Sequence, residues 1–361
     1  MKSTAGIAPS GESTSFALGQ LADRWFLFGA YGARARVHMM TVWITLAGFA
    51  LVELVWLSVS GLSFAESNAR ALMRLTAFTV LALGMCGLIS YRLIGATDRV
   101  GRLLRAAERR VELLVVGAFA FAMLSAIIVT CCYLVAAAAF PLQDALLSKI
   151  DRSLGFNWVG FVTFVNQSPV ASWLLVEAYR STAIMLGGTM LWFCVSGQGG
   201  RLAEFLALAC LTFIGIAVGV TIWPAEGAYA FYHPPLPIYD NVGAGSGMWH
   251  HDLLMSIRSG TTTVVDFETP NSNCLVTFPS GHTVLAVIIT YALRLSRWTL
   301  VPAFLINGAM LVSTIPHGGH YLIDLIGGGA IALCAILIVR LPLGVRADRL
   351  MASRKASLVN A

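Results

Sequence analysis

The feature that most constrains this chain is its series of long apolar runs. They fall at about residues 37–60, 71–95, 111–140, 170–195, 203–224, 280–296, 299–317 and 319–341. A helix that crosses the hydrocarbon core of a bilayer needs about 20 mostly apolar residues. Inside that core every backbone N–H and C=O must be satisfied within the segment, which leaves helices as the economical solution. Charged residues make up 12% of the 361-residue chain and hydrophobic ones 57%, against roughly 25% charged in a soluble domain. A soluble globular enzyme and a disordered chain are both excluded by that deficit. The expected fold class is all-α: a polytopic integral membrane bundle of about eight transmembrane helices.

The net charge is +6, and its placement carries information. Eight spans put both termini on one side. That side would collect Lys2, Arg24, Arg34 and Arg36, then Arg92, Arg99, Arg102, Arg105, Arg109 and Arg110. Arg201, Arg294, Arg297, Arg340, Arg346, Arg349, Arg354 and Lys355 join them, whereas Arg70, Arg74, Lys149, Arg152 and Arg258 would lie opposite. Basic residues mark the cytoplasmic side. The expected topology therefore has both termini cytoplasmic. The run from Arg92 to Arg110 reads as a membrane-flanking helix touching anionic lipid, not as a nucleic-acid patch.

The first 36 residues lack the short apolar core of a signal peptide and read as a retained cytoplasmic tail. Residues 37–110 read as an accessory hairpin with a basic cytoplasmic connection. Residues 111–341 read as a six-helix core, and 342–361 as a cytoplasmic tail. Two exoplasmic segments exceed plain turns. Residues 141–169 carry Trp158, Phe161 and Phe164, suited to a helix lying in the interface. Residues 225–279 form the longest polar stretch, and a loop of that length is usually functional or disordered. Of seven cysteines only Cys274 lies in an exoplasmic loop, so no structural disulfide is expected.

Chemistry concentrates in two short strings, FPSGHT from Phe278 to Thr283 and HGGHYLID from His317 to Asp324. Each sits where a span begins on the exoplasmic side. Pro279, Ser280 and Gly281 open a helix whose first N–H groups lack intrahelical partners and whose dipole is positive. Such an end binds anions. Gly318 and Gly319 suggest a second one. His320 and Asp324, spaced i, i+4, share a helix face. A carboxylate there fixes one imidazole tautomer and frees the other nitrogen as a nucleophile. His282 offers acid–base work near neutral pH.

These strings resemble the type-2 phosphatidic acid phosphatase superfamily, also called lipid phosphate phosphatases. Its motifs are K-x6-R-P, P-S-G-H and S-R-x5-H-x3-D. Pro279-Ser280-Gly281-His282 matches the second in full. Ser313-Thr314, five residues, His320, three residues, Asp324 matches the third with Thr for Arg. The first is missing. Retention of His, His and Asp without the basic motif resembles the branch of inositol phosphorylceramide synthase and sphingomyelin synthase.

The resemblance implies hydrolysis or transfer of the phosphoryl or phospho-alcohol group of a lipid phosphoester, at the exoplasmic face. His320 would become a phosphohistidine. Asp324 would orient it, and His282 would protonate the leaving alcohol and then activate water or an acceptor alcohol. Amides near Ser280, Gly281 and Gly319 would hold phosphate oxygens. No cofactor or metal is implied. The partners implied are a phospholipid or related lipid substrate, the bilayer and an alcohol acceptor, with no nucleic acid. Phosphoryl transfer needs positive charge. Arg258 is the expected clamp. Arg180 is a candidate substrate contact, with an intramembrane pair to Glu177 as its plain alternative. His250 and His251 are expected to shape the mouth of the site or touch a head group.

Other readings stand beside this one. A lipid transporter or flippase would spread polar residues through the bilayer depth, and a catalytically inactive scaffold would fit the Thr314 departure. Ser280 as nucleophile and a metal site of His317, His320, His250 and His251 are weaker, because no supporting motif accompanies either.

Overall fold

A computed structural model describes residues 23–243, 245–270 and 275–341. Most of the N-terminal tail, Cys274 and the C-terminal tail with Arg346, Arg349, Arg354 and Lys355 lie outside the described residues. Within them the protein is helical, with one two-stranded parallel pairing, β1 (Ser63–Phe64) with β2 (Val264–Val265).

Each apolar run contains a helix. The long ones are α1 (Ala33–Ser60), α2 (Glu66–Arg92), α3 (Arg99–Ala137), α6 (Pro169–Val195), α7 (Gly199–Ile222) and α12 (Leu322–Arg340). Short α4 (Asp144–Ser153) and α5 (Trp158–Asn166) lie between α3 and α6. Helices α8 (Ala228–Tyr232) and α9 (His251–Arg258) fall in the long loop, and α10 (Gly281–Ala292) and α11 (Arg297–Ser313) follow it. Five helices, α1, α2, α3, α7 and α12, are each long and apolar enough to cross a membrane. The pair α5–α6 makes a sixth if its 109° bend is counted as one broken span. At 12 residues α10 rises only about 18 Å, short of the roughly 30 Å hydrocarbon core. The protein is a multi-pass membrane protein by its apolar helices, but length alone does not give eight full spans.

The helices alternate in direction, and contacts sort their ends into two groups. At one end Arg24 donates to Glu108 and Glu112, 2.5 and 3.1 Å away, and Arg294 pairs with Glu204 at 2.9 Å. At the other, β1 pairs with β2, Asp151 meets the start of α12, and Arg258 meets the end of α3. The basic stretch is helical from Arg99, where α3 begins, with Asp98 capping its Gly101 amide at 3.2 Å. A buried core runs through α1, α3, α7, α10 and α12. A second, smaller cluster gathers α4, α5, α8 and the loop before α12 around Trp158, Tyr229 and Tyr321. It forms the floor of the candidate site.

Residues 141–169 depart from the expected interfacial helix. They form two short helices, and Trp158 is only 1% exposed. Its indole donates to the carbonyl of His320 at 3.0 Å, so a residue expected to seat the chain at the interface instead braces the site. Phe164 does remain exposed.

Candidate active site

The start of α10 shows why these residues fold as they do. Ser280 is its N-cap, the hydroxyl accepting from the Thr283 amide at 3.3 Å. That satisfies one of the orphan donors of a helix terminus. The Ser280 amide donates to the Asp324 carbonyl at 3.1 Å, tying α10 to α12. This approach needs Gly328, where a Cβ would stand 2.5 Å from the Ser280 carbonyl oxygen. Gly219 makes the same allowance for Pro279. At Gly281, by contrast, nothing lies within 4 Å of where a Cβ would be, so the first turn of α10 is open.

The loop before α12 carries His320, which is 2% exposed. Its Nδ1–H donates to Asp324 Oδ2 at 3.0 Å, and the same oxygen accepts from the Tyr321 amide at 3.1 Å. With Nδ1 holding the proton, Nε2 keeps its lone pair. Ser280 Oγ lies 3.4 Å from that nitrogen, which fixes the lone pair toward the start of α10. The His282 ring stands 6.4 Å from that of His320, centroid to centroid, at 67°. Tyr179 of α6 stacks on His282 at 4.4 Å and 26° and reaches toward Trp249 and His317. Gly318 keeps the gap clear: a Cβ there would meet His320 Cδ2 at 2.8 Å and Tyr179 at 3.2 Å.

Two buried carboxylates hold this loop. Asp151 accepts from the Leu322 and Ile323 amides at 2.8 and 2.9 Å. Asp144 accepts from the Glu226 and Gly227 amides and from the Tyr321 hydroxyl, each at 3.0 Å. Burial pushes both carboxyls upward, against these hydrogen bonds. Burial likewise lowers His320 below the ordinary histidine value and takes His250 and His317 down to about 4.

The structure brings His282, His320, Asp324, Ser280 and Gly281 together. It corrects two expectations. The start of α12 is not an open anion site, because the Asp151 carboxylate already occupies it. Gly319 serves as a turn instead: at φ 69° its carbonyl accepts from the Ala228 amide at 2.9 Å, and it packs on Gly247. Arg258 is not directed to the histidine pair. It donates to the Phe140 and Ala139 carbonyls at 3.0 and 3.5 Å, ending α3, where carbonyls lack intrahelical partners.

Arg180 is 70% exposed at its side chain and pairs with Glu177 at 3.2 Å, yet it stands near enough for its charge to act on His317. His250 Nε2 donates to the Glu226 carbonyl at 3.1 Å, and His251 Nε2 to its carboxylate at 3.3 Å. Both line the long loop beside Gly247 and Trp249. Sequence reasoning missed Tyr179, Asp144 and Asp151. Only the two acids carried a signal, as charges in segments flanked by apolar residues.

A family model described as the PAP2 superfamily matches residues 145–338, more than half of the chain. No curated protein and no solved structure matches it. The matched stretch contains the histidine pair, Asp324 and the bracing acid Asp151, and the chain belongs to the PAP2 superfamily.

Proposed function

We propose that this protein is a membrane enzyme that cleaves lipid phosphoesters through a phosphohistidine, passing the phosphoryl or phospho-alcohol group to water or to an alcohol. Membership of the superfamily and the apolar helices support the coarser statement, a lipid phosphatase-type enzyme in a membrane. The observation that carries the finer one is the buried His320–Asp324 hydrogen bond at 3.0 Å, with the other imidazole nitrogen turned toward Ser280 Oγ at the start of α10.

His320 Nε2 attacks phosphorus as the bond to the leaving alcohol breaks, and His282 supplies that alcohol's proton. His282 then takes a proton from water or an acceptor alcohol, whose oxygen displaces His320. Asp324 stabilises the charge that His320 gains, the role of the acid in a nucleophile–base–acid set. Amides at the first turn of α10 hold the phosphoryl oxygens. Ser280, whose hydroxyl caps α10, is a positioning residue. Arg180, whose charge acts on His317, is the candidate cation. The active site faces the exoplasm of a bacterial inner membrane and both termini face the cytoplasm.

Absence of the superfamily's basic motif favours a donor with less charge, such as a diester, and hence transfer of the kind made by the inositol phosphorylceramide synthase branch. Purified protein in vesicles of phosphatidic acid or phosphatidylinositol, with and without ceramide or diacylglycerol, tests this. A phosphorylated acceptor lipid is the expected product. Free phosphate released at the same rate whether or not an acceptor is present would refute transfer.

A further inference from the structure

Asp324 is fully buried, and its hydrogen bonds are lopsided. Oδ2 accepts twice, from His320 Nδ1 at 3.0 Å and from the Tyr321 amide at 3.1 Å. Oδ1 has no donor among the described residues. A carboxylate taken out of water needs donors on both oxygens, because an acceptor left bare loses its hydration and gains nothing in return.

The segment that leads into α10 carries the complement. Thr277 is 2% exposed, and its hydroxyl is also without a partner among the described residues. It faces the Asp324 carboxylate at hydrogen-bonding range, short of a fully formed bond. A hydroxyl brings one donor, which is what Oδ1 lacks.

Backbone and methyl group fix where that hydroxyl points. The Thr277 amide donates to the Ala225 carbonyl at 3.1 Å. Its methyl packs at Gly227, where a Cβ would come within 2.9 Å of it. Methyl and hydroxyl share one Cβ, and a β-branched side chain is stiff about χ1. With the methyl lodged at Gly227, the hydroxyl is held on the Asp324 side. The Gly227 amide in turn donates to Asp144, which also accepts from the Tyr321 hydroxyl. The segment carrying Thr277 and the loop carrying His320 therefore share one anchor.

We infer that Thr277 is a positioning residue for the nucleophile, its hydroxyl donating to Asp324 Oδ1 and holding the carboxylate ionised against His320 Nδ1. This rests on the function proposed above and adds a residue outside both motif strings. When His320 Nε2 bonds to phosphorus the ring gains positive charge, and an ionised Asp324 offsets it. A carboxylate short of a donor takes up a proton more readily. It would then donate to Nδ1, and the ring proton would sit on Nε2, where it blocks attack.

Two substitutions separate hydroxyl from methyl. Thr277→Val keeps the methyl and removes the hydroxyl, and Thr277→Ser does the reverse. Full-length protein is assayed in vesicles of phosphatidic acid or phosphatidylinositol. Thr277→Val is expected to lower kcat about tenfold to a hundredfold with KM unchanged, the range of a hydrogen bond to a charged group. Thr277→Ser is expected to stay close to wild type. Loss in Thr277→Ser with activity kept in Thr277→Val would assign the residue to packing and overturn the inference. Equal effects of the two, or no effect of either, would also overturn it. Thermal midpoints in detergent read the pairing apart from turnover, using Thr277→Val, Asp324→Leu and the double variant. A hydrogen-bonded pair predicts that the double variant loses less than the sum of the single losses. Additive losses overturn the pairing whatever the activity. Coupling in a protein that turns over no phosphoester would leave the pairing standing and remove the enzymatic reading.

Discussion

Burial decides the behaviour of the residue proposed as nucleophile. His320 is almost fully enclosed, and burial disfavours its charged form, so its pKa lies below the ordinary 6.5. Attack requires the neutral imidazole. A lowered pKa means that protonation, and loss of activity, comes only at lower pH. The acid limb of kcat/KM is therefore expected below pH 6.5, and an acid limb at or above that value would contradict the assignment. The His/His/Asp set was legible in sequence because its logic is local: a four-residue spacing puts His320 and Asp324 on one face, and Pro-Ser-Gly announces a helix start. Tyr179 was not legible. An aromatic in an apolar helix looks the same whether it faces lipid or a histidine 103 positions away, and only the packing of α6 on α10 separates the cases.

Among the elements, α12 shows how the site is held. Its first amides are capped not by a neighbour in sequence but by Asp151, 171 positions upstream. A carboxylate there meets both the orphan N–H groups and the positive end of the dipole. Asp151→Ala is expected to cost about 1–2 kcal/mol, as loss of a cap does. It should lower the thermal midpoint in detergent and reduce kcat more than it raises KM, because the loop carrying His320 loses its anchor. An unchanged midpoint would show that the cap is dispensable. Sequence reading placed an open phosphate site here because a helix N-terminus looks the same whether or not an acid from elsewhere occupies it. Arg258 misled for a related reason. It is the one arginine in the sequence of the long loop 225–279, but α9 sets it against the end of α3.

At the scale of the whole molecule, helix direction and charge agree. The ion pairs of Arg24 and Arg294 lie at one set of helix ends, and the histidine pair lies at the other. The run lengths made a membrane bundle plain in the sequence. By length and composition five helices, or six with the bent pair, can cross a membrane among the described residues, because α10 ends after 12 residues and α5 and α6 bend by 109°. With the basic ends cytoplasmic, a cysteine at Thr261 should react with a membrane-impermeant maleimide from outside the cell, and one at Thr97 should react only after permeabilisation. The reverse pattern would invert the proposed topology.

The central claim, a covalent intermediate on His320, is tested most directly by trapping it. Purified protein is mixed with phosphatidic acid and with phosphatidylinositol, each labelled at phosphorus, quenched, and its label mapped. An acid-labile, base-stable label is expected on His320 and is expected to be absent from His320→Ala. Turnover of either lipid with label on another residue, or with label retained in His320→Ala, would contradict it.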